Sequence, residues 1–197
     1  CQFVTRRPTA VGANSAGSIE NLDAGVTNSG GEFAEGIDLT VGYSTNIGDG
    51  KFNASLAWTH VLDHYIIPLP DQPKDYVAGE VGDSEDRAFL SLGYSLGKFG
   101  ASLRTTYLSG ADIDDQFLLN AFDLPRGSIS IGSIAYVDAQ VTFSPADSYE
   151  VFLGANNLFD REPPLLISGI PSDVTGTETD AGTYDAIGRR WYAGVRM

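Results

Sequence analysis

One pattern recurs along this chain: alternate residues are apolar over the length of a strand, and those between are polar or glycine. Successive side chains of a strand leave opposite faces, so a repeat of two residues commits a segment to sheet with one greasy and one polar side. Eight candidate strands follow, at 18–28, 32–46, 50–65, 85–96, 98–110, 133–145, 148–160 and 187–197. Short turns at Ser44–Gly50, Ser95–Lys98 and Ser144–Ser148 alternate with long connections at 66–84, 111–132 and 161–186. The long connections are rich in Gly, Pro, Asp and Ser and read as polar loops. A hairpin turn near Asn28–Gly31 is the exception, short yet on the long-loop side by parity. The expected fold is all-β and antiparallel.

The greasy face reads Ile37, Leu39, Val41, Tyr43; Phe52, Ala54, Leu56, Trp58; Ala88, Leu90, Leu92, Tyr94; and Phe99, Ala101, Leu103, Thr105, Tyr107. It continues through Ala135, Val137, Ala139, Val141, Phe143; Tyr149, Val151, Leu153, Ala155; and Trp191, Ala193, Val195, Met197. A soluble sandwich has the same alternation, so the aromatics carry more information. Tyr43, Phe52, Tyr94, Phe99, Phe143 and Tyr149 flank the three short turns, and Trp58, Tyr107, Phe159 and Trp191 mark the far ends. From Phe99 to Tyr107 is on the order of 20 Å at about 3.3 Å per residue and a tilt near 40°. Amphipathic rings settle at the headgroup level of a bilayer and aliphatic side chains in its hydrocarbon. Two aromatic levels around an aliphatic band therefore favour a transmembrane β-barrel segment of about eight strands over the ends of a sandwich core.

Charge and composition exclude several classes. With 12 Lys+Arg against 26 Asp+Glu the net charge is −14, which repels phosphate backbones and leaves no basic stripe for nucleic acid. Cys1 is the only cysteine, so the chain forms no internal disulfide and no cysteine-based zinc site. No apolar run reaches the roughly 20 residues of a membrane-spanning helix, a test that barrel strands escape. No G-x-S-x-G, P-loop or dinucleotide fingerprint is present, so the sequence points to no enzyme and no cofactor.

The stretch Tyr149 to Pro164 contains Asn156, Asn157, Leu158, Phe159 and Asp160; after a long loop, Thr183, Tyr184 and Asp185 precede Gly188, Arg189 and a closing strand. This resembles the end of TonB-dependent outer-membrane receptors, which commonly carry an NNLFD run near the end of the penultimate strand and a TYD..GR run before the last. Asn28 and Gly31 followed by Gly36-Ile37-Asp38-Leu39 are similar to a hairpin pattern of that family. The resemblance implies that residues 1–197 are the C-terminal part of the barrel, its last eight strands out of about 22. It further implies that the plug domain, the segment that meets TonB and the first strands lie outside this chain. The implied partners are outer-membrane lipid, the plug, the remaining strands and the barrel-assembly machinery. The last of these reads a terminal aromatic that parity would place two positions beyond Met197. The implied role is the wall and outer loops of an importer of siderophore-bound iron, cobalamin or oligosaccharide in the outer membrane of a Gram-negative bacterium. Two other readings stay open: a self-contained eight-stranded outer-membrane barrel acting as adhesin or structural protein, and a soluble carbohydrate-binding sandwich.

Candidate ligand positions are few. Asp112, Asp114 and Asp115 could offer oxygen ligands to a hard cation, against the plainer role of a solvated acidic loop, and Asp173, Glu178, Asp180 and Asp185 carry the same ambiguity. His60 and His64 are expected on one side of a strand with Asp63 on the other, a rim position rather than a metal face. Arg104, Asp138, Glu150, Arg190 and Arg196 fall on the polar face, where a lumen or plug would receive them.

Overall fold

The computed structural model describes residues 3–23, 30–146, 148–166 and 178–197. The elements are β1 Val4–Arg6, β2 Ile19–Leu22, β3 Gly31–Ile47, β4 Gly50–Ile67, β5 Asp75–Tyr76, β6 Asp86–Leu96, β7 Phe99–Leu108, β8 Ala111–Asp112, α1 Asp115–Phe122, β9 Ser130–Ile131, β10 Ile134–Ala146, β11 Tyr149–Asn156 and β12 Arg190–Arg196. Seven long strands make one antiparallel sheet in the order β12-β11-β10-β7-β6-β4-β3, with β5 added beside the end of β4. Among the described residues the fold is all-β but for one short helix. Sequential strands are spatial neighbours throughout, as hairpin connections require. Gly48 at φ 59° and Gly97 at φ 56° supply the left-handed backbone that two-residue turns need. Among the described residues nothing pairs with the outer edges of β3 and β12.

Three expectations need correction. The strand at 18–28 does not pair with β3: its described part, β2, joins β1 in a separate two-stranded sheet, where Arg7 and Glu20 are 3.4 Å apart. Residues 24–29, with the turn at Asn28, lie outside the described residues. The second correction is in 111–132, which is not all loop. Asp114 caps α1 through Oδ1, which accepts the Phe117 N–H at 2.6 Å, and Asp123 closes the helix in the left-handed region. The third concerns β4: Val61 faces Gly36 and Asp63 faces Glu35, so Leu62 is an extra, unpaired residue. That bulge flips the alternation. His60 thus pairs with Ile37 on the apolar face and His64 with Ala34 on the polar face, and the two histidines do not share a side.

Among the described residues nothing covers the apolar face. Leu103 is 43% exposed, Leu153 50% and Val141 54%, and Ile37, Leu39, Val41 and Val195 are comparably open, while Leu56 and Val137 are only half-buried. The closed core lies elsewhere, at one end of the sheet and on its polar side. There Leu108, Ile134 and Tyr136, inward-facing residues of β7 and β10, meet Ile113, Leu118, Leu166 and Tyr184 from the second and third long connections, with Val81 of the first packed against them. The described parts of the long connections therefore fold over the polar face and do not cover the greasy one.

Candidate functional site

The aromatic levels can be placed against the hydrogen-bond register. A row of directly paired residues crosses the sheet as Tyr43, Ala54, Leu92, Leu103, Ala139, Ala155 and Trp191. It begins at an aromatic of the short-turn level and ends at one of the long-loop level. Measured from this row toward the short turns, Tyr43, Phe52, Tyr94, Phe99, Phe143 and Tyr149 stand at zero, two, two, four, four and six residues. The far level steps the same way, from Trp58 and Tyr107 four residues beyond the row to Trp191 on it. A step of about one residue per strand, at a 3.3 Å rise and 4.8 Å spacing, makes both levels planar when the strands tilt by roughly 35–40°. Phe159 sits beyond the end of β11, past Asn157, and is the least covered of the ten aromatics.

One polar handle at each level is paired within the sheet. The Trp58 indole N–H donates to Asp86 Oδ1 at 2.9 Å, and His60 Nδ1 lies 3.0 Å from the same oxygen with its ring stacked on Trp58. At the other level the Tyr94 hydroxyl donates to the Ile47 carbonyl at 2.9 Å, and Phe99 stacks on its register partner Phe143. Across the sheet, the polar face carries Arg104 opposite Asp138, Tyr192 donating to Gln140 at 3.1 Å, and Arg196 2.7 Å from Glu150.

The 156–160 and 183–189 motifs form a clasp that joins the ends of β11 and β12. Asn157, 1% exposed with φ 50°, donates through its backbone N–H to Asp138 Oδ1 at 2.8 Å. Its side-chain amide donates to the Arg161 carbonyl and accepts the Arg161 N–H. The Leu158 N–H reaches across to the Val137 carbonyl at 2.7 Å. Asp160 Oδ1 accepts the Arg189 N–H at 2.9 Å, and Gly188, at φ 80°, lies where a Cβ would crowd that carboxylate. Thr183 donates to Asp180, and Asp185 accepts from the Ile187 N–H while its own N–H donates to the Tyr136 hydroxyl. Tyr184 is buried, which pushes its hydroxyl pKa up to about 12. Asn157→Ala removes two buried side-chain hydrogen bonds and should destabilise the fold by about 2–3 kcal/mol, read from denaturant midpoints in detergent micelles.

Of the loop carboxylates, Asp114 is spent as the helix cap. Asp115 opens α1 and donates its N–H to Glu80 Oε1 at 3.2 Å. Asp112, in β8, uses its backbone to hold Gly79 and Val81 and lines an open cleft of about 400 Å³ with Gly79, Glu85, Arg126 and Ser130. Asp180 caps a turn, Glu178 accepts the Leu166 N–H through its carbonyl, and Asp173 lies outside the described residues. Among the described residues no cluster of His, Cys, Asp and Glu could hold a metal ion.

Glu80 in the cap was not singled out by sequence reasoning, and His64, expected only as a rim residue of β4, gains partners that the sequence does not show. Glu80 is only 4% exposed; burial raises its carboxyl to about 7, against the Asp115 N–H and the Arg126 guanidinium, which lower it. His64 has Asp83 at Nδ1 and Glu32 at Nε2, the latter at 2.9 Å. A lone glutamate in a polar loop gives no sequence signal, and only folding sets the neighbours of either group. No helix among the described residues is long and apolar enough to cross a membrane. Compared with protein-family models, curated proteins and solved structures, the chain matches none.

Proposed function

We propose that this chain is a section of an outer-membrane β-barrel wall whose long loops gather into an exterior cap, and that it serves TonB-dependent uptake of a scarce nutrient. The observation that carries the membrane part is the placement of the layers. Among the described residues, loops pack on the polar side and nothing packs against the apolar side. A water-soluble sheet buries its greasy face first, and a soluble monomer seldom leaves a patch larger than about 300–600 Å² open. In a bilayer the same arrangement is the stable one, because lipid covers the apolar side while the hydrogen-bonded strands satisfy the backbone. Aromatic levels that become planar at a tilt of roughly 35–40° support the same reading, since barrel strands tilt by about that much.

The importer part rests on the resemblance of the 156–160 and 183–189 runs, and on the free edges of β3 and β12, which further strands of a larger barrel would pair. The polar face, with Arg104, Asp138, Gln140 and Tyr192, then looks onto the lumen and its plug. Trp58 and Trp191 are the two tryptophans of the chain and both stand at the far aromatic level, so they report depth directly. In vesicles of lipids brominated at stepped depths, each single-tryptophan variant should be quenched most by the shallowest acyl bromine; equal quenching at all depths, or none, defeats the wall reading. Uptake separates the importer from an adhesin. Cells deleted for the gene should lose energy-dependent accumulation of one ligand from a panel of iron-siderophore, cobalamin and oligosaccharides, and unchanged uptake of all three classes defeats it.

A further inference from the structure

The loop between β4 and β6 is tied down at two points three residues apart, Glu80 and Asp83. Asp83 holds it to the polar face of the hairpin, where His64 stands with a carboxylate at each ring nitrogen, Asp83 at one and Glu32 of β3 at the other. A neutral imidazole has one N–H and can donate to only one of them, so both contacts together require the imidazolium. Glu80 holds the loop to the next connection. Its Oε1 accepts the Asp115 N–H at the start of α1, and on either side of it Val81 donates to the Asp112 carbonyl at 2.9 Å while Asp112 donates to the Gly79 carbonyl at 2.8 Å. We propose that these two points form a pH-operated latch that closes the cleft between the 66–84 and 111–132 connections in mild acid and releases it toward alkaline pH.

The charged surroundings favour this direction. Around Glu80 stand Asp112, Asp114 and Asp115 from the second connection, with Arg126 alone opposing them at 3.9 Å, and Glu85 and Asp180 lie near the same turn. Around His64 stand Asp83 and Glu32, and Arg87 of β6 is 3.6 Å from Asp83. Ionising Glu80 therefore adds a buried negative charge to a group of carboxylates, and deprotonating His64 removes the positive charge between two others.

The signs agree. Glu80 is raised from 4.5 to about 7, so the closed cap holds a proton that the open loop releases. Closure by Glu80 is complete below about 4.5 and lost as pH rises to about 7. His64 lies six residues beyond Trp58, outside the band, and its hydrogen bond to Asp83, then that to Glu32, raise it above 6.5 against the effect of burial. Its contribution is present below 6.5 and lost as pH rises through the raised value. Both groups open the loop in the same direction, and neither depends on whether lipid covers the other face.

The test is amide exchange on the full chain folded in detergent micelles, at about pH 5.5 and about pH 8, with protection expressed against the intrinsic rate at each pH. Protection of the Val81 and Asp112 amides should fall by at least about tenfold from acid to alkali, since a group raised from 4.5 to about 7 gives up most of the proton held by the closed loop over this range. Glu80→Gln should keep most of the protection at about pH 8, while His64→Gln and Asp83→Asn should lack part of it already at about pH 5.5. Equal protection at the two pH values overturns the latch, as does a fall of unchanged size in all three variants. A fall shared by amides of β7 and β10 also overturns it, since the whole fold would then be opening.

Discussion

Arginine in place of Leu103 is expected to destabilise the inserted wall by about 2–4 kcal/mol, and arginine in place of its neighbour Ser102 by less than about 1 kcal/mol. Leu103 lies midway between Phe99 and Tyr107 on the bare face, and Ser102 points to the polar side, where Arg104 is already accommodated. A second protein layer over the apolar face would also resist a charge at Leu103, so a third variant decides the cause. Ala135 pairs with Tyr107 at the far aromatic level, and on the proposed membrane reading Ala135→Arg should cost about 0–1 kcal/mol, because the guanidinium would reach the headgroups from there. Denaturant titrations of folding into vesicles give the three values. A cost that does not fall from Leu103 to Ala135 would mean that something other than a bilayer lies against this face.

Leu118→Ala should remove about 3 kcal/mol from the cap and little from the wall. Leu118 is fully buried in α1 against the cluster of Ile113, Ile134 and Tyr136, and leucine-to-alanine changes in such cores cost about 2–5 kcal/mol as transfer free energy and cavity add. The helix meets the wall through the cluster with Leu108, Ile134 and Tyr136, while the other ties between loops and wall lie in other segments, so the loss is confined to one cooperative unit. Amide exchange should show residues 113–124 losing protection while the β7–β10 ladder keeps its own. An equal loss in both would mean that cap and wall unfold together, and the loops would then be part of the structural core of the sheet.

The two predictions separate what each half of the chain owes to its surroundings. The wall is stabilised by ladders of backbone hydrogen bonds and by whatever covers Leu39, Leu103 and Val141; the cap is stabilised by an ordinary dry core of about a dozen side chains. In the acidic stretch Asp114 caps the helix through its carboxylate, whereas Asp112 and Asp115 hold loop backbone through their main-chain groups.

The wall was legible residue by residue. Alternation in strands is a local property, since adjacent side chains leave opposite faces whatever the rest of the chain does, and the paired faces and short turns followed from it. The helix was also written locally, in Asp114 before Phe117, Leu118, Ala121 and Phe122, but the Gly, Pro and Asp around it obscured the helical spacing. Three features depended on contacts between distant segments. Leu62 became a bulge only because Gly36 and Glu35 pair with Val61 and Asp63, which turned His64 to the polar face. β2 took β1 as its partner, and alternation says which face a strand shows but not which strand it meets. Glu80 and His64 acquired their charge states from Asp115, Arg126, Asp83 and Glu32, brought in from up to 46 residues away, because electrostatic environment belongs to the assembled loops and to no single stretch of sequence.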